Sequence, residues 1–161
     1  KGTPMKKISL ILCVVLSFAL LTGCGKTANS EKMLDGSLEE IMNKVYEGIP
    51  EDSLPMVGNQ PITEEMSEYN VGVTADRYKE AQSGDAMIGS IPHSVVLVRA
   101  KSMDDVAELK ADIEKNANPR KWVCVEAEKV IVDSIGDVII LIMSDAATAD
   151  AIDANFKALA K

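Results

Sequence analysis

Hydrophobic positions along the 161-residue chain fall into three patterns. The first is an unbroken run: after Met5, Lys6 and Lys7, residues 8–21 (ISLILCVVLSFALL) are 14 positions without a charge. The second is helical. Leu34, Leu38, Ile41, Val45 and Ile49 recur every three or four residues, and Ser37 with Glu40 has the form of a capping box, so an amphipathic helix is predicted over about 37–48. The third belongs to strands. Residues 93–99 (HSVVLVR) are β-rich, 122–133 alternate with a break near Glu126, and 137–143 (DVIILIM) are apolar almost throughout. A strand of that last kind sits centrally in its sheet or is buried on both faces.

Between these segments the pattern is weaker. Pro50, Pro55, Gly58 and Pro61 suit a loop or an edge strand. A short strand is predicted over 69–73 and a helical turn or two over 74–81, and Ser83-Gly84-Asp85 is read as a break before 86–91. Ser102 opens a second helix whose Met103, Val106, Leu109 and Ile113 share a face, and Asn116 to Pro119 closes it. Ile135-Gly136 supplies a hairpin turn. Asp145 caps a last helix carrying Ala149, Ile152, Phe156 and Leu159. The order α-β-β-α-β-β-α predicts an α+β domain of two layers, with helices on one face of a mainly antiparallel sheet.

The first 24 residues carry the most specific signal. A basic start, a short apolar stretch and small residues ahead of a cut are the parts of a secretory signal peptide. The stretch is shorter than the roughly 20 residues a helix needs to cross a bilayer. Leu21-Thr22-Gly23-Cys24 has the form of a bacterial lipobox, in which the cysteine sulfur accepts a diacylglyceryl group and the chain is cut just before it. Two acyl chains give stable anchoring where one gives only marginal binding. The expected organisation is a signal peptide over 5–23, a flexible tether over 24–33 with lipid attached at Cys24, and a single domain over 34–161, held at the outer face of the membrane.

Charge narrows the partners. Removing Lys1, Lys6 and Lys7 with the leader leaves 14 basic residues against 25 acidic ones, a net −11. Nucleic acid and anionic headgroups should repel such a domain, so neither is an expected partner apart from the anchor itself. Cys13 leaves with the leader and Cys24 becomes a thioether, so Cys124 has no partner for an intramolecular disulfide.

Candidate chemistry is sparse. His93 is the sole histidine, which removes any paired-histidine zinc site, and it is expected as a surface residue hydrogen-bonded at a strand start. Cys124 reads as a small hydrophobe packed in a strand; a nucleophile there would need a base, for which only His93 is a candidate histidine. Gly84 and Gly89 have the outer spacing of a phosphate loop, but Ser90-Ile91 replaces its Lys-Ser/Thr. Asp104, Asp105, Asp145, Asp150 and Asp153 lie near helix starts, where the dipole accounts for them without a metal. No cofactor or metal site is expected. The exposed candidate is the loop holding Arg120, Lys121 and Trp122, two cations beside the one tryptophan, read either as a helix stop or as a small patch for an anionic or sugar ligand.

Three segments resemble an uncharacterised family of lipoproteins from Gram-positive anaerobes: residues 91–99 (IPHSVVLVR), 118–125 (NPRKWVCV) and 136–143 (GDVIILIM). The likeness runs from about Leu38 to Leu159. It implies one intact domain outside the membrane and brings no activity, substrate or catalytic residue. The sequence therefore favours a non-enzymatic binding or interaction module, whose partner is a cell-envelope protein or the anionic or sugar ligand. The competing expectation is a small enzyme using His93 or Cys124.

Overall fold

Two strands buried at every position fix this architecture. The computed structural model describes residues 33–161, so the leader, Cys24 and most of the tether lie outside the described residues. The described chain runs α1 (Leu38–Tyr46), β1 (Val57–Pro61), α2 (Ser67–Val71), β2 (Glu80–Ala86), β3 (Ser94–Arg99), α3 (Val106–Asn116), β4 (Lys129–Ile135), β5 (Val138–Ser144) and α4 (Ala146–Ala158). The strands form one antiparallel sheet in the order β1-β2-β3-β5-β4. This is an α+β domain.

β3 and β5 are fully buried and pair with Val95 opposite Ile142 and Leu97 opposite Ile140. Their side chains alternate between two cores. Val96, Val98, Ile139, Leu141 and Met143 meet Val71 of α2 and Val106, Leu109 and Ile113 of α3. Val95, Leu97, Ile140 and Ile142 meet Leu38, Ile41, Met42 and Val45 of α1 and Ala149, Ile152 and Phe156 of α4. Helices thus cover both faces, giving three layers and correcting the expected two. The reason is legible in β5: a strand with no polar alternate cannot leave either face in water, since each exposed large aliphatic forgoes about 1.5–3 kcal/mol of burial.

The local expectations divide in the same way. Ser37 caps α1 through a complete capping box with Glu40, and Asp145 caps α4 by accepting from the Thr148 N–H. The segment 69–73 is not a strand; its first part belongs to α2, which ends at Gly72 in a left-handed conformation (φ 86°). Glu80 already begins β2, so 74–81 holds only one 3₁₀ turn, Ala75–Arg77. Ser83-Gly84-Asp85 does not break the chain but lies inside β2. Glycine is needed there because α1 crosses close by: a Cβ on Gly84 would stand 2.9 Å from Asn59 Oδ1 and 3.1 Å from Tyr46 Oη. Residues 87–93 form a connection rather than a strand, α3 begins after Asp105 rather than Ser102, and β4 begins only at Lys129. The observed order is α-β-α-β-β-α-β-β-α.

Candidate functional site

Two buried polar centres sit at one end of the sheet, on opposite faces. Both use residues at the start of β3, where the strand leaves the apolar interior.

On the α1 face, His93 is buried, which corrects its expected place at the surface. Its Nε2 lies 2.8 Å from Tyr46 Oη and its Nδ1 2.9 Å from Ser144 Oγ. Ser144 Oγ in turn donates to Asp145 Oδ2 at 3.2 Å. That last donation fixes the rest. With its proton on Asp145, the serine hydroxyl accepts from Nδ1–H, so Nε2 is left as acceptor for the tyrosine O–H. Burial pushes the His93 pKa down from 6.5, against the pull of Asp145 and Asp85, so the ring is neutral at neutral pH. Burial also pushes the Tyr46 phenol up, with Asp85 adding to it. Burial raises the Asp145 carboxyl, but hydrogen bonds from Thr148, Ser144 and Ala147 outweigh it and hold the group below its ordinary value. Beside this chain opens a cleft of about 390 Å³, whose walls include Leu54, Pro92, His93, Glu126, Glu128 and Asp145.

On the other face, the Lys121 side chain is only 3% exposed. Its ammonium donates to Ser94 Oγ at 2.9 Å, Asn70 Oδ1 at 3.1 Å and Asp85 Oδ1 at 3.2 Å. It also lies 5.4 Å from the ring centres of both Tyr69 and Trp122. Burial lowers the Lys121 pKa while Asp85 raises it. Its neighbours on the loop behave differently. The Arg120 side chain is 75% exposed and meets Glu126 at 3.4 Å, while Trp122 is half-buried against the α2–α3 core. The structure therefore separates the three residues of the predicted patch: one cation points outward, one inward, and the indole lies at the boundary.

No family model, curated protein or solved structure matches this chain.

Cys124 is exposed, next to a fully exposed Val123, rather than packed in a strand. It is not among the hydrogen-bond partners of His93, whose two nitrogens are already occupied. Among the described residues, no three His, Cys, Asp or Glu side chains are grouped as a metal site. Sequence reasoning missed Tyr46, Ser144, Asp85 and Asn70. The one available signal was Ser94 and Ser144, polar ends on otherwise apolar strands.

A third polar centre lies at the opposite end of β3. Arg99 donates to Asp137 Oδ2 and Glu80 Oε1, each at 2.8 Å, and to the carbonyls of Leu34 and Gly36. The Leu34 N–H donates to Asp137 Oδ1 at 2.9 Å. This clasp ties the first described residues to the sheet.

Proposed function

We propose that the chain is a lipid-anchored extracytoplasmic protein whose domain is a non-enzymatic interaction module at the outer face of the cell membrane, with a cell-envelope protein as partner. Lys6, Lys7, the apolar run and Leu21-Thr22-Gly23-Cys24 support the anchor. One observation carries the rest: the groups best suited to chemistry are consumed inside the fold. Both nitrogens of His93 have partners within the fold, and His93 and Ser144, each 1% exposed, present almost no surface to the cleft they border. Lys121 is likewise spent on Asp85, Ser94 and Asn70. An anionic or sugar ligand at Arg120, Lys121 and Trp122 would meet a single outward cation already beside Glu126. A protein partner, which needs surface rather than a reactive group, fits better.

The anchor is tested by intact mass of membrane fractions. The wild-type chain should be cut before Cys24 and carry a diacylglyceryl group, while Cys24→Ala should remain uncut and unlipidated. A mature wild-type chain without added lipid mass would overturn it. The interaction half is tested by short-range crosslinking on intact cells. A discrete adduct with one envelope protein is expected, and recovery of the uncrosslinked chain alone would refute it.

A further inference from the structure

The sheet has two edges, and they are protected unequally. At the β4 edge, Lys129 pairs with Asp150 and Asp133 pairs with Lys110, so charges stand along the strand. Charged side chains are a common means of preventing another strand from adding to an open edge. β1, at the other edge, reads Val-Gly-Asn-Gln-Pro and has none.

The hydrogen-bond phase of β1 shows which of its groups face outward. Met87 N–H donates to Met56 O at 2.9 Å and Ile62 N–H to Ala81 O at 3.0 Å, and Val57 is opposite Ala86. Bonding pairs alternate along an antiparallel ladder, so positions 56, 58, 60 and 62 bond β2. Val57, Asn59 and Pro61 therefore turn their backbone groups away from β2, to the edge of the sheet. Pro61 fits this phase, since a residue with no N–H costs the sheet nothing when that position faces out.

Beside this edge, on the α1 face, lies a groove of about 450 Å³ lined by Tyr46, Leu54, Pro55, Met56, Val57 and Asn59. Met56, 72% exposed, adds apolar surface to this groove. Side chains of a strand laid against β1 would alternate into this groove and away from it.

Charge selects the guest. Glu51 lines the groove, and residues 45–65, which include β1 and most of the groove wall, hold five carboxylates (Glu47, Glu51, Asp52, Glu64 and Glu65) and no lysine or arginine. A second copy would bring the same acidic stretch against itself, whereas a basic strand is attracted. Resting on the interaction-module reading above, we propose that the β1 edge is a strand-addition site. It takes an extended basic segment of a partner protein, about the length of β1, whose alternate aliphatic side chains enter the groove between β1 and α1.

The test uses the full mature chain and synthetic peptides alternating lysine with valine. Binding should protect the Val57 and Asn59 amides from hydrogen exchange, and the matching glutamate–valine peptide should not bind. N-methylation of the peptide amides that face β1 should abolish binding, while methylation of the opposite set should leave it intact. Asn59→Pro removes one outward N–H and no bond to β2, so it should fold and bind roughly tenfold more weakly, the worth of about one hydrogen bond. Should that variant fail to fold, the two methylated peptides still decide on the wild-type chain. The proposal falls if the lysine–valine peptide does not bind, if both methylated forms bind alike, or if the acidic peptide binds as well. It also falls if the chain dimerises through β1. An envelope partner crosslinked only through another surface would sink the edge proposal and leave the interaction-module reading standing.

Discussion

Replacing Lys121 by methionine tests the centre that the sequence placed at the surface and the structure places inside. The substitution keeps the apolar stem against Tyr69 and Trp122 and removes the ammonium. Asp85, Asn70 and Ser94 then lose a shared donor, and Asn70 and Ser94 are buried. Removing one partner of a buried ion pair costs about 3–5 kcal/mol. Here Asp85 is 26% exposed and regains some water, which puts the expected loss near the lower end, about 3 kcal/mol. Lys121→Met with Asp85→Asn removes the stranded charge as well, and should recover roughly 1–2 kcal/mol of that loss. Urea denaturation of wild type, both single variants and the double variant provides the cycle. The alkaline limb is a separate check. The folded-state pKa lies below the ordinary 10.5, so within that gap the unfolded chain binds more protons, and stability should rise with pH. The methionine variant should lack that rise. An unchanged urea midpoint for Lys121→Met would show that the ammonium points to solvent and would return the loop to its reading as an exposed cationic patch.

Two further perturbations probe the layers around it. Ile140→Ala, at a fully buried position of β5 against α1 and α4, should cost about 2–5 kcal/mol in denaturant; a loss under about 1 kcal/mol would place β5 at the periphery. His93 should make the fold acid-sensitive. Its folded pKa is lowered from 6.5, so the unfolded chain takes up the proton first and stability falls as pH drops from about 6.5 toward that lower value. His93→Gln should flatten this slope, and parallel wild-type and variant curves would refute the neutral, doubly bonded ring.

The sequence was most readable where a single physical requirement dominated. Ser37 with Glu40, and Asp145 ahead of an apolar period, marked helix starts because capping is local chemistry. The β5 segment announced its burial because no charge interrupts 138–143. Failures came where tertiary contact overrides local preference. Ser83-Gly84-Asp85 has turn composition, yet it is a strand interior, since the glycine answers to Tyr46 and Asn59 from other elements. The polar centres were invisible for the same reason. Lys121 is 27 residues from Ser94 and 51 from Asn70, and no short-range pattern joins them. In an acidic domain, a lysine after Arg120 reads as solvated until a carboxylate and two buried acceptors are found around it.

The two ends of β3 give the domain a direction. Arg99 ends the strand in the clasp that holds Leu34 and Gly36, and His93 and Ser94 begin it between the two polar centres. A six-residue strand spans about 20 Å, so these ends are well separated. With the chain anchored at Cys24 as proposed, the tether joins the domain at the clasp. The pull of the membrane then falls on Arg99 and Asp137, a paired and buried contact, rather than on the helix α1 that follows. The His93 end and the β2–β3 connection, with Met87 and Ile88 exposed, lie at the far end of the sheet from that attachment. β1 runs along the flank of the same sheet, so an extended partner segment added to it would lie beside β2 rather than across either end of β3.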